Sequence, residues 1–533
     1  MTEDRKDHDP DVPLPLRRGG RRRHLVTEDP NANPPGTPDE PSDEQEVSRL
    51  EELVAARRKK AQALRERGID PFPVIGLRPT HSLADVVATW GQLGPGEETG
   101  EEVVVAGRLV RTREHGRLAF GVLREGAADL QLFCQQDVLG EDGMAFFSEL
   151  DPGDWVAAEG EVMVTRKGEL SVSPTRLVLL AKALHPLPDP YYGLRDVERR
   201  YRQRELDLIL SRDSRRVFEI RSSVVRALRE ELDRRGFAEV ETPTLHPIPG
   251  GAAAQPFVTH HRALDVDLYL RIATELYLKR LIVGGFSRVY EIGRIFRNEG
   301  LSPRHNPEFT MLEAYQAYAD LDDMVELTEA LVVRAAEASV GTVELSYQGR
   351  DLSLAPPWPR RPLLDLVREA TGTEIDYETP LEDLRRLCAA HEVPTEAAWG
   401  AGKLVVELYE KLVEPEIWEP VFVIEHPVET SPLARRHRSK EHVVERFEPL
   451  VAGRELGNAF TELTDPDDQR VRFEAQAAAR DAGDVEAMRL DEAFLAALEL
   501  GMPPTGGLGI GVDRLVMLLA DAPSIRDVIL FPT

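Results

Sequence analysis

The stretch RIFRNEGLSPRHNPEFTMLEAY, residues 294–315, decides the fold. Arg297 and Glu299 are two apart, so on a strand they face one side. A loop holding Arg304, His305 and Asn306 follows, and then Phe309, Met311, Glu313 and Tyr315 again share a face at period two. The spacing predicts a β-hairpin that presents arginine, histidine, aromatic and carboxylate groups on one surface. A hairpin with only a structural role more often alternates apolar with polar residues. Acids facing inward are costly without cationic partners.

Two later stretches repeat the pattern. In FEPLVAGRELGNAFTEL (447–463), Asn458, Phe460 and Glu462 fall on one strand face, with Glu448 and Glu455 upstream. Carboxylates at this spacing suit Mg²⁺, which takes one or two of them and leaves its other positions to water and phosphate oxygens. In GLGIGVDRLVML (507–518), glycines let the backbone approach a ligand closely, and Arg514 opens a helix as a fork for a terminal phosphate. Each stretch alone also fits a structural role. Together they suggest an ATP·Mg²⁺ site built without a P-loop. The chain has no G-x-x-x-x-G-K-[ST], H-E-x-x-H, C-x-x-C or G-x-S-x-G motif. Gly507, Gly509 and Gly511 lack the third correctly spaced glycine of a dinucleotide fingerprint, and no βαβ unit can follow so near the C-terminus.

Around these stretches, residues 206–533 mix long helical patterns with strands in no regular βαβα order, so the class is α+β around an antiparallel sheet. A helical, charge-rich insertion interrupts it at about 360–415. Upstream, residues 71–182 contain VVVAGRLV, RLAFGVL, ADLQLFC, DWVAAEGEVMV and ELSVSPTRLVLL, five short strands between Gly and Asp turns. They suggest a small barrel, either an OB-fold or another β-barrel. A proline-rich linker spans 183–205. Residues 46–70 read as a basic helix ending at Gly68, with Arg57, Arg58, Lys59, Lys60, Arg65 and Arg67 either solvated or set against phosphates. Residues 1–45 hold eight of the 39 prolines and no aromatic residue, and are expected to be a disordered tail.

The 533 residues include 94 acids and 66 bases, a formal net charge of −28, which taken alone argues against a nucleic-acid partner. With 42% hydrophobic residues the chain has enough apolar content for a real core. Cys134 and Cys388 cannot form a disulfide framework, no run of eighteen apolar residues exists, and the N-terminus lacks a signal peptide's apolar stretch. A soluble cytoplasmic protein is expected.

These residues carry a family resemblance. FRNEG…RHNPEFTMLE resembles motif 2 of the class II aminoacyl-tRNA synthetases, and GLGIGVDR resembles motif 3. RSSVVRALREELDRRGFAEVETPTL (221–245), a helix followed by a strand ending at Pro243, is similar to motif 1, the family's dimer interface. PGGAAAQPFVTHHRALDVDLYLRIATELYLKRL (249–281) and AGRELGNAFTEL resemble the bacterial lysine-specific members in particular. The resemblance runs from about residue 50 to 533.

It implies an antiparallel-sheet catalytic domain behind an OB-fold, lysine activation with ATP and Mg²⁺, transfer to tRNA(Lys), and a homodimer. ATP contacts would fall on Arg297, Glu299, His305, Asn306, Phe309, Glu448 and Arg514, with Arg297 and Arg514 as the catalytic pair and Glu448 and Glu455 on the metal. Lysine contacts would fall on Gly251, Glu275, Asn458 and Phe460, with Glu313, Tyr315 and Glu462 around the side-chain ammonium. Phe120, Gln131 and Glu169 match the anticodon-reading positions, although Phe120 also fits a barrel core. Independently, a substrate with two ammonium groups and one carboxylate needs several acids in a partly dry pocket, which Glu275, Glu313 and Glu462 can supply. Two other readings are a paralogue that activates lysine for a non-tRNA acceptor and a non-catalytic relative. Gln255 replaces a usual arginine, Thr274 a usual proline and Arg262 a usual asparagine. Residues 101–183 carry fourteen acids and nine bases, with Asp129 where relatives tend to be basic.

Overall fold

The computed structural model describes residues 43–74, 76–188, 194, 196–481, 483–484 and 487–533. The tail expected at 1–45, with its basic cluster at 17–23, falls almost wholly outside these residues, as does the middle of the proline-rich linker.

Five strands, Glu98–His115, Leu118–Glu125, Ala128–Gln135, Trp155–Val164 and Leu170–Ala181, close into a barrel in the order first, second, third, fifth, fourth. Period-two alternation sends Val103, Val105, Ala119, Leu123, Leu130 and Leu132 inward. Two helices absent from the strand reading flank it. Leu83–Trp90 starts at a capping box between Ser82 and Asp85, and Gln136–Glu149 packs Leu139 and Phe147 onto the barrel core.

The N-terminal helix, Asp43–Glu66, lies against the barrel, and here the reading of its bases changes. Arg57 is buried and donates to the carbonyls of Ala183, His185 and Pro152 at 2.9–3.0 Å. Lys60 pairs with Asp151 at 2.7 Å and Arg67 with Glu149. These three hold the helix to the barrel. Asp129 is likewise engaged: it accepts from Arg124 at 2.7 and 2.8 Å and from Arg212 at 2.7 Å, tying the barrel to the first long helix of the next unit.

That unit is built on a mixed, mainly antiparallel sheet. Its strands run Arg360–Pro362, Val421–Ile424, Arg446–Val451, Gly457–Thr461, Thr505–Gly511, Glu308–Ala317, Arg288–Phe296 and Ala238–Glu239, with Arg454–Glu455 pairing beside Arg446–Val451. Tyr290, Leu312, Ala314, Leu508 and Ile510 bury one face against helices Arg212–Arg234, Leu321–Val340 and Val512–Leu519. The alternate residues make the opposite face, polar around Glu313 (the polar face) and apolar where Val289, Tyr315, Ala317 and Phe460 join a second buried cluster.

Two elements differ from expectation. The strand after the first long helix covers only Ala238–Glu239, because it pairs solely with Arg288–Phe296 in a two-residue parallel match. The insertion is helical at Leu363–Thr371, Leu381–Ala390 and Ala401–Leu412, but its leading Arg360–Pro362 joins the sheet edge beside Val421–Ile424.

Candidate active site

The hairpin expected from 294–315 forms, with Arg288–Phe296 antiparallel to Glu308–Ala317. Registers across the next strands align the polar face in rows: Glu313 opposite Gly509 opposite Asn458, and Tyr315 opposite Gly507 opposite Phe460. The glycines leave the centre of this face open. A Cβ on Gly507 would come within 1.9 Å of Glu462 Oε1 and 2.7 Å of Tyr315 Cε1.

Arg297 and Glu299 do not share a strand face, because the strand ends at Phe296. Arg297 N–H still donates to Pro307 O at 2.9 Å, but Asn298 N–H turns away to Gln255 O at 2.8 Å and pulls the chain out of the ladder. The Gln255 bond uses the main chain, so the departure from arginine there leaves it intact. The Arg297 guanidinium lies over the Phe309 ring at 5.2 Å from its centroid. Its Nε is buried with no hydrogen-bond partner among the described residues, and burial lowers its pKa. Asn306 is buried, donates to Glu308 O at 2.7 Å and leaves Oδ1 unpartnered. His305 is largely exposed and bonded to Ser302 Oγ at 2.9 Å; partial shielding of its ring from water, and Arg514, lower its pKa. Glu299 is exposed on the same loop. This loop and strand thus present an unsatisfied cation and unsatisfied polar atoms, which suit a phosphate and a base.

Arg514, in the first turn of Val512–Leu519, donates to Glu455 O at 2.8 Å and pairs with Glu455 Oε2 at 3.1 Å. Glu448 accepts from Arg446 at 2.6 Å, and Arg446 also donates to Asn458 Oδ1 at 2.9 Å. Near Glu448 and Glu455 lie Glu410, exposed at the surface, and the half-buried Glu414; partial loss of water and the neighbouring carboxylates push both carboxyls up to about 7. The buried Tyr409 hydroxyl, with no partner, lies within the influence of the same four acids. An excess of crowded carboxylates fits a hard divalent cation with its water shell. A separate group of possible ligands, Glu378, Glu441 and His442, lies exposed on the surface.

The acids expected to line a lysine pocket come together as a cluster of buried side chains. Glu313 Oε1 accepts from Thr274 N–H at 2.9 Å and Oε2 from Tyr315 OH at 3.2 Å; burial pushes its pKa up to about 7. Glu275 starts the helix Glu275–Val283, and Gly251 backs it at φ +89°, where a Cβ would meet Ala273 Cβ at 3.0 Å. Glu462 is only 1% exposed. One residue was not anticipated: Lys279, fully buried, is paired with Glu275 at 2.5 Å and with Glu462, beside the Phe460 ring. Its i,i+4 spacing from Glu275 was the available signal.

On the barrel, Phe120 faces outward, half-buried, and stacks on Phe133 with centroids 5.3 Å apart. It is not a core residue; its neighbour Ala119 is. Gln131 donates to Ser171 Oγ at 2.9 Å, and Glu169 is exposed at the adjoining turn. Phe133 joins this face by the same period-two spacing from Gln131, which the sequence reading did not use.

Comparison with known proteins agrees with this architecture. Residues 103–180 match the family model of the OB-fold nucleic acid binding domain, and residues 196–533 match that of the tRNA synthetases class II (D, K and N). The lysine–tRNA ligase of Moorella thermoacetica is 51% identical over 482 residues, covering 90% of this chain and 97% of its own. That of Bacillus subtilis is 50% identical over 485 residues, covering 91% and 97%. That of Synechococcus sp. (strain RCC307) is 52% identical, covering 91% and 96%. With the catalytic sheet, the barrel and both matches in agreement, the chain belongs to the class II tRNA synthetases, alongside the lysine–tRNA ligases.

Proposed function

We propose that the protein activates L-lysine with ATP to lysyl-adenylate and transfers it to the 3′ end of tRNA(Lys). The observation that carries the reading is the juxtaposition of a buried three-acid pocket on the polar sheet face with Arg297 over Phe309 beside it, whose Nε has no partner among the described residues. The acids suit a ligand with two ammonium groups, and the arginine suits a phosphate. An enzyme for an acidic or amide side chain would need a free cation in place of Glu313 and Glu462. The barrel and its Phe120 face favour tRNA over another acceptor.

In the first step a lysine carboxylate oxygen attacks the α-phosphorus of ATP in line. The P–O bond to the β-phosphate breaks, and its electron pair leaves with pyrophosphate. The nucleophile is already an anion, so no general base is needed. Arg297 holds the α-phosphate and stabilises its developing charge, Arg514 holds the γ-phosphate, and Phe309 stacks on adenine. Glu299, His305 and Asn306 complete the ATP contacts. Glu275, Glu313, Tyr315 and Glu462 take the ammonium groups, while Gly251, Asn458 and Phe460 shape the pocket. Glu448 and Glu455 would hold Mg²⁺, which supplies charge neutralisation between phosphates. In the second step the terminal adenosine of tRNA attacks the adenylate carbonyl and AMP leaves. Phe120, Gln131 and Glu169 would read the anticodon.

The protein would act in the cytoplasm as a homodimer through Arg212–Arg234 and Ala238–Glu239. Support for the dimer is the exposed face of this helix and the cleft beside it, lined by Phe218, Ser222, Arg226 and Leu530. No helix of the described residues is long and apolar enough to cross a membrane.

The test is lysine-dependent ATP–pyrophosphate exchange run beside aminoacylation of total tRNA with labelled lysine. Both activities are expected, and Arg297→Ala should abolish exchange. Exchange without charging would move the acceptor elsewhere, and absence of both in the wild type would overturn the reading.

A further inference from the structure

The pocket that reads as a lysine site already contains a lysine. Lys279 is completely buried on helix Glu275–Val283. Its Nζ is 2.5 Å from Glu275 Oε1 on its own helix, and it is ion-paired with Glu462 Oε2 at the end of strand Gly457–Thr461. Phe460 lies with its ring centroid 5.3 Å away. From strand Glu308–Ala317, on the far side of the glycine strand, Glu313 and Tyr315 face the same space, and Arg446 on the adjoining strand acts on Glu275. Burial opposes the charge on Lys279, yet Glu275 and Glu462 hold its pKa above the ordinary lysine value.

The two Glu462 oxygens have different surroundings. Neither oxygen has a well-aligned hydrogen bond among the described residues, but Oε2 is ion-paired with Lys279, whereas Oε1 lies over Gly507 and next to the Tyr315 ring on the polar face. A carboxylate held by one oxygen leaves the other fixed in direction. Burial pushes the pKa of all three acids up, so their ionisation depends on nearby cations; one internal ammonium and the two ammonium groups of a bound lysine together match three ionised carboxylates. Three acids with no internal cation would be one charge too many and would bind a proton instead.

We propose that Lys279 is a specificity-determining positioning residue: it engages one oxygen of Glu462 and one of Glu275, so that their remaining oxygens receive the ammonium groups of the amino-acid substrate. The proposal rests on the lysine-activating reading of this site. Lys279 is enclosed by Glu275, Glu462 and the Phe460 ring and acts through the two carboxylates. Without it, Glu462 takes up a proton and no longer requires a cation opposite Oε1.

Lys279→Met, which keeps an unbranched chain and removes the charge, tests this. Pyrophosphate exchange is measured for wild type and variant against lysine and ATP concentration from pH 6 to pH 9, with norleucine, the chain lacking the ammonium, as competitor. Wild-type exchange that depends on lysine secures the underlying reading first; if it is absent, that reading fails whatever the variant does. In the variant the lysine KM should rise about tenfold or more, while the ATP KM moves by about twofold or less. The lysine KM should also fall more steeply with rising pH, because Glu275 and Glu462 must now lose a proton before they bind a cation. Preference for lysine over norleucine should shrink. An unchanged lysine KM with the wild-type pH profile overturns the proposal, as does a parallel rise of both KM values. If Lys279→Met does not fold, Lys279→Met/Glu275→Gln removes one stranded acid and is judged on the same readouts.

Discussion

Glu313 shows most directly how position converts an ordinary acid into a recognition group. Burial raises its carboxyl to about 7, with Glu275 adding repulsion while Thr274 N–H and Tyr315 OH counter it. In the empty pocket it is therefore partly protonated at neutral pH. An arriving ammonium favours the ionised form, so its pKa is lower in the complex and binding releases a proton. The lysine KM should fall as pH rises from about 6 to about 8 and level off above that. Glu313→Gln should raise the lysine KM far more than the ATP KM and flatten this part of the profile. A pH-independent wild-type lysine KM, or an unchanged KM in the variant, would remove Glu313 from the pocket. Period-two spacing made Glu313 and Tyr315 legible from sequence. It misplaced Arg297 and Glu299, because a strand's end is set by where the backbone finds its next partner, here Gln255.

At the scale of elements, the glycine strand Thr505–Gly511 matters for what it omits. Its Leu508 and Ile510 pack against the helices, while Gly507 and Gly509 place no side chain on the polar face. Gly507→Ala would put a methyl 1.9 Å from Glu462 Oε1, displacing the acid that faces the substrate. Overpacking of this kind costs about 1–3 kcal/mol, so the variant should fold with a lowered melting temperature. Its lysine KM should rise sharply, and nucleotide binding by equilibrium titration should persist. Wild-type lysine kinetics would show that the glycine serves only sheet packing. The hairpin and the five barrel strands were legible because alternation is a local pattern. The strand Arg360–Pro362 was not, since three residues have no period and owe their state to Val421–Ile424 alongside them. Helix Gln136–Glu149 was not legible either, because Gly140, at φ +80°, breaks the helical run between Leu139 and Phe147.

For the whole molecule, the net charge of −28 is less decisive than its placement. Asp129 is held below the ordinary carboxylate pKa by Arg124 and Arg212 despite partial burial, so it serves as a joint between barrel and catalytic unit. Asp151 and Asp154 are matched by Lys60 and Lys182. Arg113, exposed, stands directly opposite Phe120 in the strand register, with Phe133 on its other side. An acidic barrel thus retains a local face of two aromatics and a cation, the arrangement that single-stranded bases stack on. Phe120→Ala should raise the tRNA KM for charging by roughly tenfold, as the loss of one stacked base predicts, and leave pyrophosphate exchange untouched. Equal charging by variant and wild type would place anticodon reading elsewhere.

The chain by itself determined which side chains share a face inside its longer strands, and that the larger unit is built on a mainly antiparallel sheet carrying acids and arginines. Those follow from backbone periodicity and residue chemistry, which are local. Only the tertiary structure decided which charges are already matched. Arg57, Lys60 and Arg67 hold a helix to the barrel, Asp129 is neutralised, and Lys279 divides its ammonium between Glu275 and Glu462. Arg297, by contrast, keeps a buried nitrogen with no partner among the described residues. Coulomb energy depends on separation and burial, and residues far apart in the chain acquire both only when it folds.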